Sequence, residues 1–386
     1  MNKWVIGTLI ALFFLLAGYS LFLGQQVKTV DLPKASLSPT QSTENETQTA
    51  VVEDAARISV VAENLDTPWA IAFLPDTSML VTERAGRVRF IDANGTLRAE
   101  PIATISDVKE IGEGGLLGIA VHPDFASNHF IYLYYTYNST NNNTQNRVVR
   151  FTFANNTLSN RTVIVDAIPG ASNHNGGRIA FGSDGFLYIT TGDSQDPSLS
   201  QTTSSLAGKI LRVTDDGSPV PGNPFGTRVY SYGHRNPQGI AWDSQGQLWS
   251  TEHGRSGIQS GLDELNKIES GKNYGWDIIQ GDETRQGMVT PVLHSGSSTT
   301  WAPGGLAYLD GKLFFVGLRG QGLYEVVLQG DTVSSLKKHF DGELGRIRDV
   351  VVGPDKMLYI TTSNRDGRGT PKENDDKVLR VNPEKL

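Results

Sequence analysis

The sequence predicts an all-β fold, a six-bladed β-propeller of four-stranded antiparallel blades, and three observations carry that expectation. A strand–turn–strand pattern recurs six times, as WAIAFLPDTSMLVTER from Trp69, LLGIAVHPDFASNHFIYLYYT from Leu116, GGRIAFGSDGFLYITTGD from Gly176, PQGIAWDSQGQLWSTEHG from Pro237, PGGLAYLDGKLFFVGLRG from Pro303 and IRDVVVGPDKMLYITTSN from Ile347. Most copies are followed by a further strand of the type GRVRFID (from Gly86), NRVVRFTF (from Asn146), GKILRVTD (from Gly208), GLYEVVL (from Gly322) or DKVLRVN (from Asp376). No segment sustains the 3.6-residue apolar period that the crossover helices of a parallel α/β fold require.

Each element then finds a place. Aligning Ala72, Ala120, Ala180, Ala241, Ala307 and Val351 gives intervals of 48, 60, 61, 66 and 44 residues. A blade needs about 40 to 50 residues, so the longer intervals leave room for insertions, which in repeat folds collect on one face. The lone strand RISVVAENL from Arg57 precedes the first copy. It is expected to pair with the last blade and so remove an open sheet edge. The 42 glycines suit many tight turns between short strands.

Before the propeller, assigned to residues 57–386, stand two segments of different character. The run from Trp4 to Gly24 carries no charge, about the ~20 apolar residues a spanning helix needs. It reads as a signal peptide or an N-terminal membrane anchor over 1–24. Ala17-Gly18-Tyr19-Ser20 makes a poor cleavage site, which favours the anchor. Lys3 on the short side places the rest of the chain outside, exported to a periplasmic or extracellular face. Residues 25–56, rich in Ser, Thr, Gln, Glu and Pro, read as a disordered polar linker.

Composition excludes some classes of function. There are 34 Lys and Arg against 41 Asp and Glu, a net charge of -7, and no basic stripe interleaved with aromatics, which argues against a nucleic-acid partner. With no cysteine, thiol nucleophiles, zinc–thiolate sites and disulfides are ruled out.

Three segments place polar groups where a blade needs only turns. In Asn173-His174-Asn175-Gly176-Gly177-Arg178, a histidine before an inner strand would project toward the propeller axis. It can act as a base near neutral pH if a carboxylate orients it, and Asp193 at the end of the same hairpin is the natural partner. A histidine that only caps a turn is the plainer alternative. In the second segment Arg235, Asn236 and Gln238 offer planar donors for carboxylates or quinone oxygens. The following loop, from Glu252 to Glu264, has hard oxygen donors of the type calcium takes, though without an EF-hand spacing. In the third segment Arg346 and Arg348 share a strand face, and with Arg235 and Arg319 they suggest a cationic funnel for a small polyanion.

GEGGLLGIAVHPDF, NHNGGRIAFG, GHRNPQGIAW, DELNKIESGKNYGW, WAPGGLAY and RIRDVVVGPD together resemble, in order and spacing, the glucose and aldose dehydrogenases of the glucose/sorbosone dehydrogenase family that depend on pyrroloquinoline quinone (PQQ). The resemblance covers roughly residues 60–382. It implies PQQ and calcium as cofactors, an aldose sugar as substrate and an external electron acceptor. It also implies His174 as the base, Asp193 as its orienting carboxylate and Arg235 as a polarising donor. Cofactor contacts are implied for Glu113, Arg235, Asn236, Gln238, Thr300, Arg319, Arg346 and Arg348. The carbonyls of Gly254 and Arg255 match those that bind the cofactor calcium, and Asp263, Glu264 and Tyr274 match a second, structural calcium region. The chain departs from the pattern at Glu113, where the glucose enzyme has glutamine, at Arg319 for lysine, at Arg255 for proline, and in a longer RSGIQSGL stretch. A ligand-binding propeller without enzymatic activity and a calcium-dependent lactone hydrolase are the competing functions. Neither needs His174 together with the arginine set.

Overall fold

The computed structural model describes residues 56–257 and 260–386, so the expected anchor and nearly all of the expected linker lie outside the described residues. Among the described residues no helix is long and apolar enough to cross a membrane.

Among the described residues twenty-four strands form six four-stranded antiparallel sheets, as the repeat predicts. The lone strand β1 (Ile58–Ala62) comes first. Blade 1 is β2 (Pro68–Phe73), β3 (Met79–Glu83), β4 (Arg87–Ile91) and β5 (Ala103–Thr104). Blade 2 is β6 (Leu116–Val121), β7 (Phe130–Asn138), β8 (Thr144–Ala154) and β9 (Thr157–Pro169). Blade 3 is β10 (Ile179–Phe181), β11 (Leu187–Thr191), β12 (Lys209–Val213) and β13 (Val229–Tyr232). Blade 4 is β14 (Pro237–Trp242), β15 (Leu248–Glu252), β16 (Glu264–Ile268) and β17 (Leu293–His294). Blade 5 is β18 (Pro303–Leu309), β19 (Lys312–Gly317), β20 (Gly322–Gln329) and β21 (Thr332–His339). In blade 6, β22 (Ile347–Val352), β23 (Leu358–Thr362) and β24 (Val378–Val381) are completed by β1 on the outer edge, which closes the ring between its two chain ends.

Second strands such as LYITT of β11 and β23 are buried along their whole length, because each lies between two neighbouring blades. Outer strands such as β21 are mostly exposed. The core is accordingly a set of apolar layers between blades. Phe73 and Met79 meet Val351 and Tyr359 where blade 1 meets blade 6, and Leu265 and Trp249 meet Leu306 and Phe315 between blades 4 and 5. Hydroxyls reinforce the contacts between blades. Thr82 Oγ1 donates to Leu117 O at 2.6 Å and Thr251 Oγ1 to Gly304 O at 2.9 Å. At Gly304 a Cβ would lie 2.1 Å from Arg348 O, so only glycine allows blade 5 to approach blade 6 there.

One feature of the pleating prepares the site. In five blades the inner strand slips register near its start, at Pro68/Ala70, Leu116/Ile119, Pro237/Gly239, Pro303/Leu306 and Ile347/Asp349. A bulge re-aims the extra residue, and here the extra residues include Trp69, Gln238 and Arg348. These three converge on the axis. Arg348 donates to Gln238 Oε1, and its guanidinium lies 5.7 Å from the Trp69 ring centre. Arg178 joins the group, its guanidinium 4.4 Å from the Trp69 ring centre and 2.9 Å from Asp349, with Nε donating to Gln238 O at 3.0 Å.

Candidate active site

Above this floor opens a cavity of about 490 Å³. Of the residues singled out in the sequence, Glu113, His174, Arg235, Gly254, Arg255, Asp263, Thr300, Arg319, Arg346 and Arg348 line it. The loops after β11 and β15 supply part of the wall, through Gln195 and the segment 253–257, which is where the long intervals leave room for insertions.

His174 sits in left-handed backbone, with φ at +59°. Its Nδ1 is 2.7 Å from Asp193 Oδ1. A carboxylate accepts, so Nδ1 carries the proton and Nε2 keeps the basic lone pair. Asp193 is fully buried, and its orientation is fixed by Gln195 N at 2.8 Å on Oδ1 and by the Trp276 indole Nε1 at 2.8 Å on Oδ2. Trp276, which sequence reasoning passed over inside the NYGW motif, is therefore the third member of a Trp–Asp–His chain. It also lies under Arg235, 5.2 Å from the guanidinium.

The arginines differ in how far they are already engaged. Arg346 is bound by Asp366 at 2.7 and 2.8 Å and donates to Leu318 O at 3.2 Å. Arg319 donates to Ser260 Oγ at 3.0 Å. Arg235 donates to Ser256 Oγ at 2.6 Å, and burial pushes its pKa down. Burial also lowers Arg348 to about 9, still charged at neutral pH. Among the described residues the buried Nε of Arg235, Nε of Arg348 and Nδ2 of Asn236 have no hydrogen-bond partner. An unpaired buried donor costs about 1–3 kcal/mol, and the two arginine nitrogens at one cavity mark a ligand rich in acceptor oxygens.

Asn236 and Gln238 are not in the cavity wall; they lie behind it. Asn236 Oδ1 accepts Gly176 N at 2.9 Å, pinning the loop that carries His174, and Gln238 holds Arg348 and Arg178. Thr300 Oγ1 donates to Asp263 at 2.7 Å. Asp263 also accepts from Gly254 N, Trp301 N and Ala302 N at 2.8, 2.6 and 2.9 Å, so its carboxylate fastens the floor of this loop. Glu264 and Tyr274 face a separate small cavity of about 10 Å³ together with Glu252. There the Tyr274 hydroxyl is taken up by Lys267 O at 2.6 Å and Glu269 N at 2.8 Å. Burial and the neighbouring Glu252 push Glu264 up to about 8. Asp263 thus stands apart from Glu264 and Tyr274.

Among the described residues no three His, Asp or Glu side chains gather to hold a metal. Among the described residues the carbonyl of Arg255 accepts a 3.3 Å bond from Gly261 N, and a carbonyl has a second lone pair to offer. Two backbone carbonyls fall short of the 6 to 8 oxygens calcium takes, so an ion here would draw on oxygens of the ligand itself.

Glu113 beside an anionic ligand would be repulsive unless protonated or paired with an arginine, and the structure supplies the pairing. It is bound by Arg368, a loop residue the sequence reading did not single out, and Arg368 also donates to Asn173 Oδ1 at 3.0 Å. The nearest sequence signal is the Gly- and Arg-rich RDGRGT that follows the last copy of the repeat.

Fold and cavity together define a class: a six-bladed propeller whose axial site joins a carboxylate-oriented histidine to an arginine-lined anion pocket. The Glucose / Sorbosone dehydrogenase family model matches residues 65–371, and the chain belongs to that family, which places it among the oxidoreductases. It is 33% identical to the aldose sugar dehydrogenase YliI of Escherichia coli (strain K12), over 84% of this chain and 92% of that one. It is 32% identical to the quinoprotein glucose dehydrogenase B of Acinetobacter calcoaceticus, over 60% of this chain and 54% of that one. The solved PQQ-bound aldose sugar dehydrogenase of Streptomyces coelicolor is 41% identical and superposes with a TM-score of 0.78, covering 84% of this chain and 97% of that one.

Proposed function

We propose that this chain oxidises the C1 hydroxyl of an aldose sugar to the lactone, with PQQ and calcium as cofactors. The observation that carries the reading is the pairing of His174 Nδ1 with Asp193 at 2.7 Å beside a cavity where Arg235 and Arg348 present unpartnered donors. Bound PQQ supplies an acceptor for the two electrons and hydrogen that leave C1. Arg235, Arg319, Arg346 and Arg348 would hold its carboxylates and carbonyls, and the carbonyls of Gly254 and Arg255 would hold calcium between protein and cofactor.

The protein's own part is the proton and the placement. His174 Nε2 takes the proton of the C1 hydroxyl, and Asp193 favours the imidazolium that results. Trp276 keeps the second carboxylate oxygen occupied, so that Asp193 stays turned toward the ring. Arg235, partly desolvated over Trp276, is a preorganised donor for developing negative charge. The small cavity at Glu252 and Glu264 is where a structural cation would relieve two carboxylates held in one dry place. Export to the periplasmic or extracellular side, through the apolar run at Trp4–Gly24, is part of the same proposal and supported by sequence alone.

The test is reconstitution. Purified protein without cofactor should gain dye-reducing activity on aldoses when PQQ and calcium are both added. Failure across a panel of aldoses, with PQQ shown to bind, would refute the assigned reaction.

A further inference from the structure

The least expected contact lies at the mouth of the cavity. Glu113 sits on the short loop before β6, and its carboxylate reaches in two directions. Oε2 accepts the backbone N–H of His174 at 3.3 Å, and Oε1 accepts Arg368. Arg368 belongs to the loop between β23 and β24, so this ion pair ties blade 6 to the loops of blades 2 and 3. The approach of the Glu113 loop is fixed independently. Glu113 N donates to Ser172 O at 2.7 Å, and a Cβ on Gly112 would lie 2.2 Å from the same oxygen. The amide that Glu113 engages belongs to a residue at φ +59°, a conformation a non-glycine residue keeps only when its surroundings hold it.

We propose that Glu113 is a positioning residue for the His174 base, and that Arg368 is the counter-ion that keeps Glu113 in its charged, purely accepting form. The inference rests on the proposed sugar oxidation only for the use made of the base; the contact itself concerns the backbone of His174.

The surroundings of Glu113 agree with this role. Arg348 and Arg235 face it across the cavity, His253 stands on the blade 4 side, and Arg84 from blade 1 is engaged by Glu110 at 3.0 Å. Burial opposes ionisation of Glu113, but His253, Arg368 and Arg348 outweigh it and hold the carboxyl at about 2. His253 is itself pressed down to about 4 by burial and donates from Nε2 to Pro303 O at 2.9 Å. It is neutral at pH 7, so the arginines hold Glu113 charged there, and in acid a protonated His253 adds to them. Of these, Arg368 alone touches the carboxylate.

The experiment reads the His174 amide in the full chain, without PQQ, by selective ¹⁵N-histidine labelling; the resonance is identified by its loss in His174→Asn. The parent gives the reference pH profile from about pH 8 to about pH 3, to which the Glu113 carboxylate adds no inflection because it stays charged there. In Arg368→Met an added inflection should appear between about pH 3 and about pH 5, because losing an adjacent opposite charge raises the carboxyl from about 2 by roughly 1 to 3 pH units. In Glu113→Gln/Arg368→Met the inflection should vanish, since an amide oxygen accepts without titrating. With PQQ bound, kcat of Arg368→Met should fall on the same inflection while PQQ affinity stays within about threefold. An Arg368→Met amide whose profile matches the parent's, or an added inflection that survives in the double variant, overturns the proposal. So does an unchanged pH profile joined to weakened PQQ binding, which would make Arg368 a cofactor contact. An amide that titrates as expected in a chain that oxidises no aldose upholds the Glu113–Arg368 linkage and overturns the proposed reaction instead.

Discussion

His174→Asn separates chemistry from structure better than the alanine variant, and the reason lies in the backbone. His174 is at φ +59°. Asn enters this left-handed region more readily than most residues, whereas Ala pays about 1–2 kcal/mol there. The Asn amide can also donate to Asp193 Oδ1, now 2.7 Å from the imidazole, so no buried carboxylate oxygen is abandoned. What the variant lacks is a basic nitrogen. A positioned general base contributes roughly 10² to 10⁴ in rate, which is about 2.7 to 5.5 kcal/mol of barrier. Dye reduction at saturating PQQ and calcium should therefore drop by that factor, with the melting temperature and PQQ affinity close to the parent's. Turnover within about threefold of the parent per bound PQQ would refute the assignment, since no base of ordinary efficiency could be removed so cheaply.

Trp276→Phe keeps the ring under Arg235 but removes the N–H on Asp193 Oδ2; a hydrogen bond to a charged group is worth about 1.5 to 3 kcal/mol, so kcat should fall about tenfold or more, read from dye reduction at saturating PQQ. Arg348→Met should weaken PQQ binding by roughly 10- to 100-fold with little change in turnover at saturating cofactor, because its contact serves substrate complex and transition state alike; fluorescence titration of the cofactor-free protein measures it. Arg348 is held at about 9 by burial, so cofactor affinity of the parent should decline as pH rises through about 9 and that of Arg348→Met should not. Calcium should bind the Gly254–Arg255 carbonyls far more weakly without PQQ than with it, as calorimetry with and without the quinone would show, and excess chelator should abolish dye reduction.

Much of the architecture was legible because a propeller repeats. Six copies of one strand–turn–strand pattern leave little freedom in the fold, and the lone strand at Arg57 found the partner expected of it, pairing with β24. His174 and Asp193 were legible together since one hairpin of known type separates them, and adjacent strand ends must lie close. Register is a different matter. The bulges that bring Trp69, Gln238 and Arg348 together depend on where each inner strand slips against its neighbour, and no periodicity in the sequence records a slip of one residue. Asn236 and Gln238 accordingly read as ligand contacts, while their side chains hold the His174 loop and Arg348 from behind. Arg368 was illegible for a related reason. Its partner lies 255 positions away, across the closure of the ring, and nothing about a Gly- and Arg-rich loop says which blade it will face.

The same geometry explains why the arginines are not equivalent, although the sequence presents them as one set. Arg346 and Arg368 already have carboxylate partners, Asp366 and Glu113. Among the described residues Arg235 and Arg348 are buried without one, each with an unpartnered Nε. A buried charge that lacks its partner is destabilising, and replacing it by an apolar side chain of similar size is often neutral or better for the fold. Their retention is therefore a cost to the ligand-free protein that an anionic ligand offsets on binding. It follows that Arg348→Met should melt no lower than the parent in the absence of PQQ, yet gain much less from adding it. A cofactor-free Arg348→Met that melts well below the parent would mean that Arg348 serves the fold through Gln238 and Trp69, and its unpartnered Nε would then no longer argue for an anionic ligand.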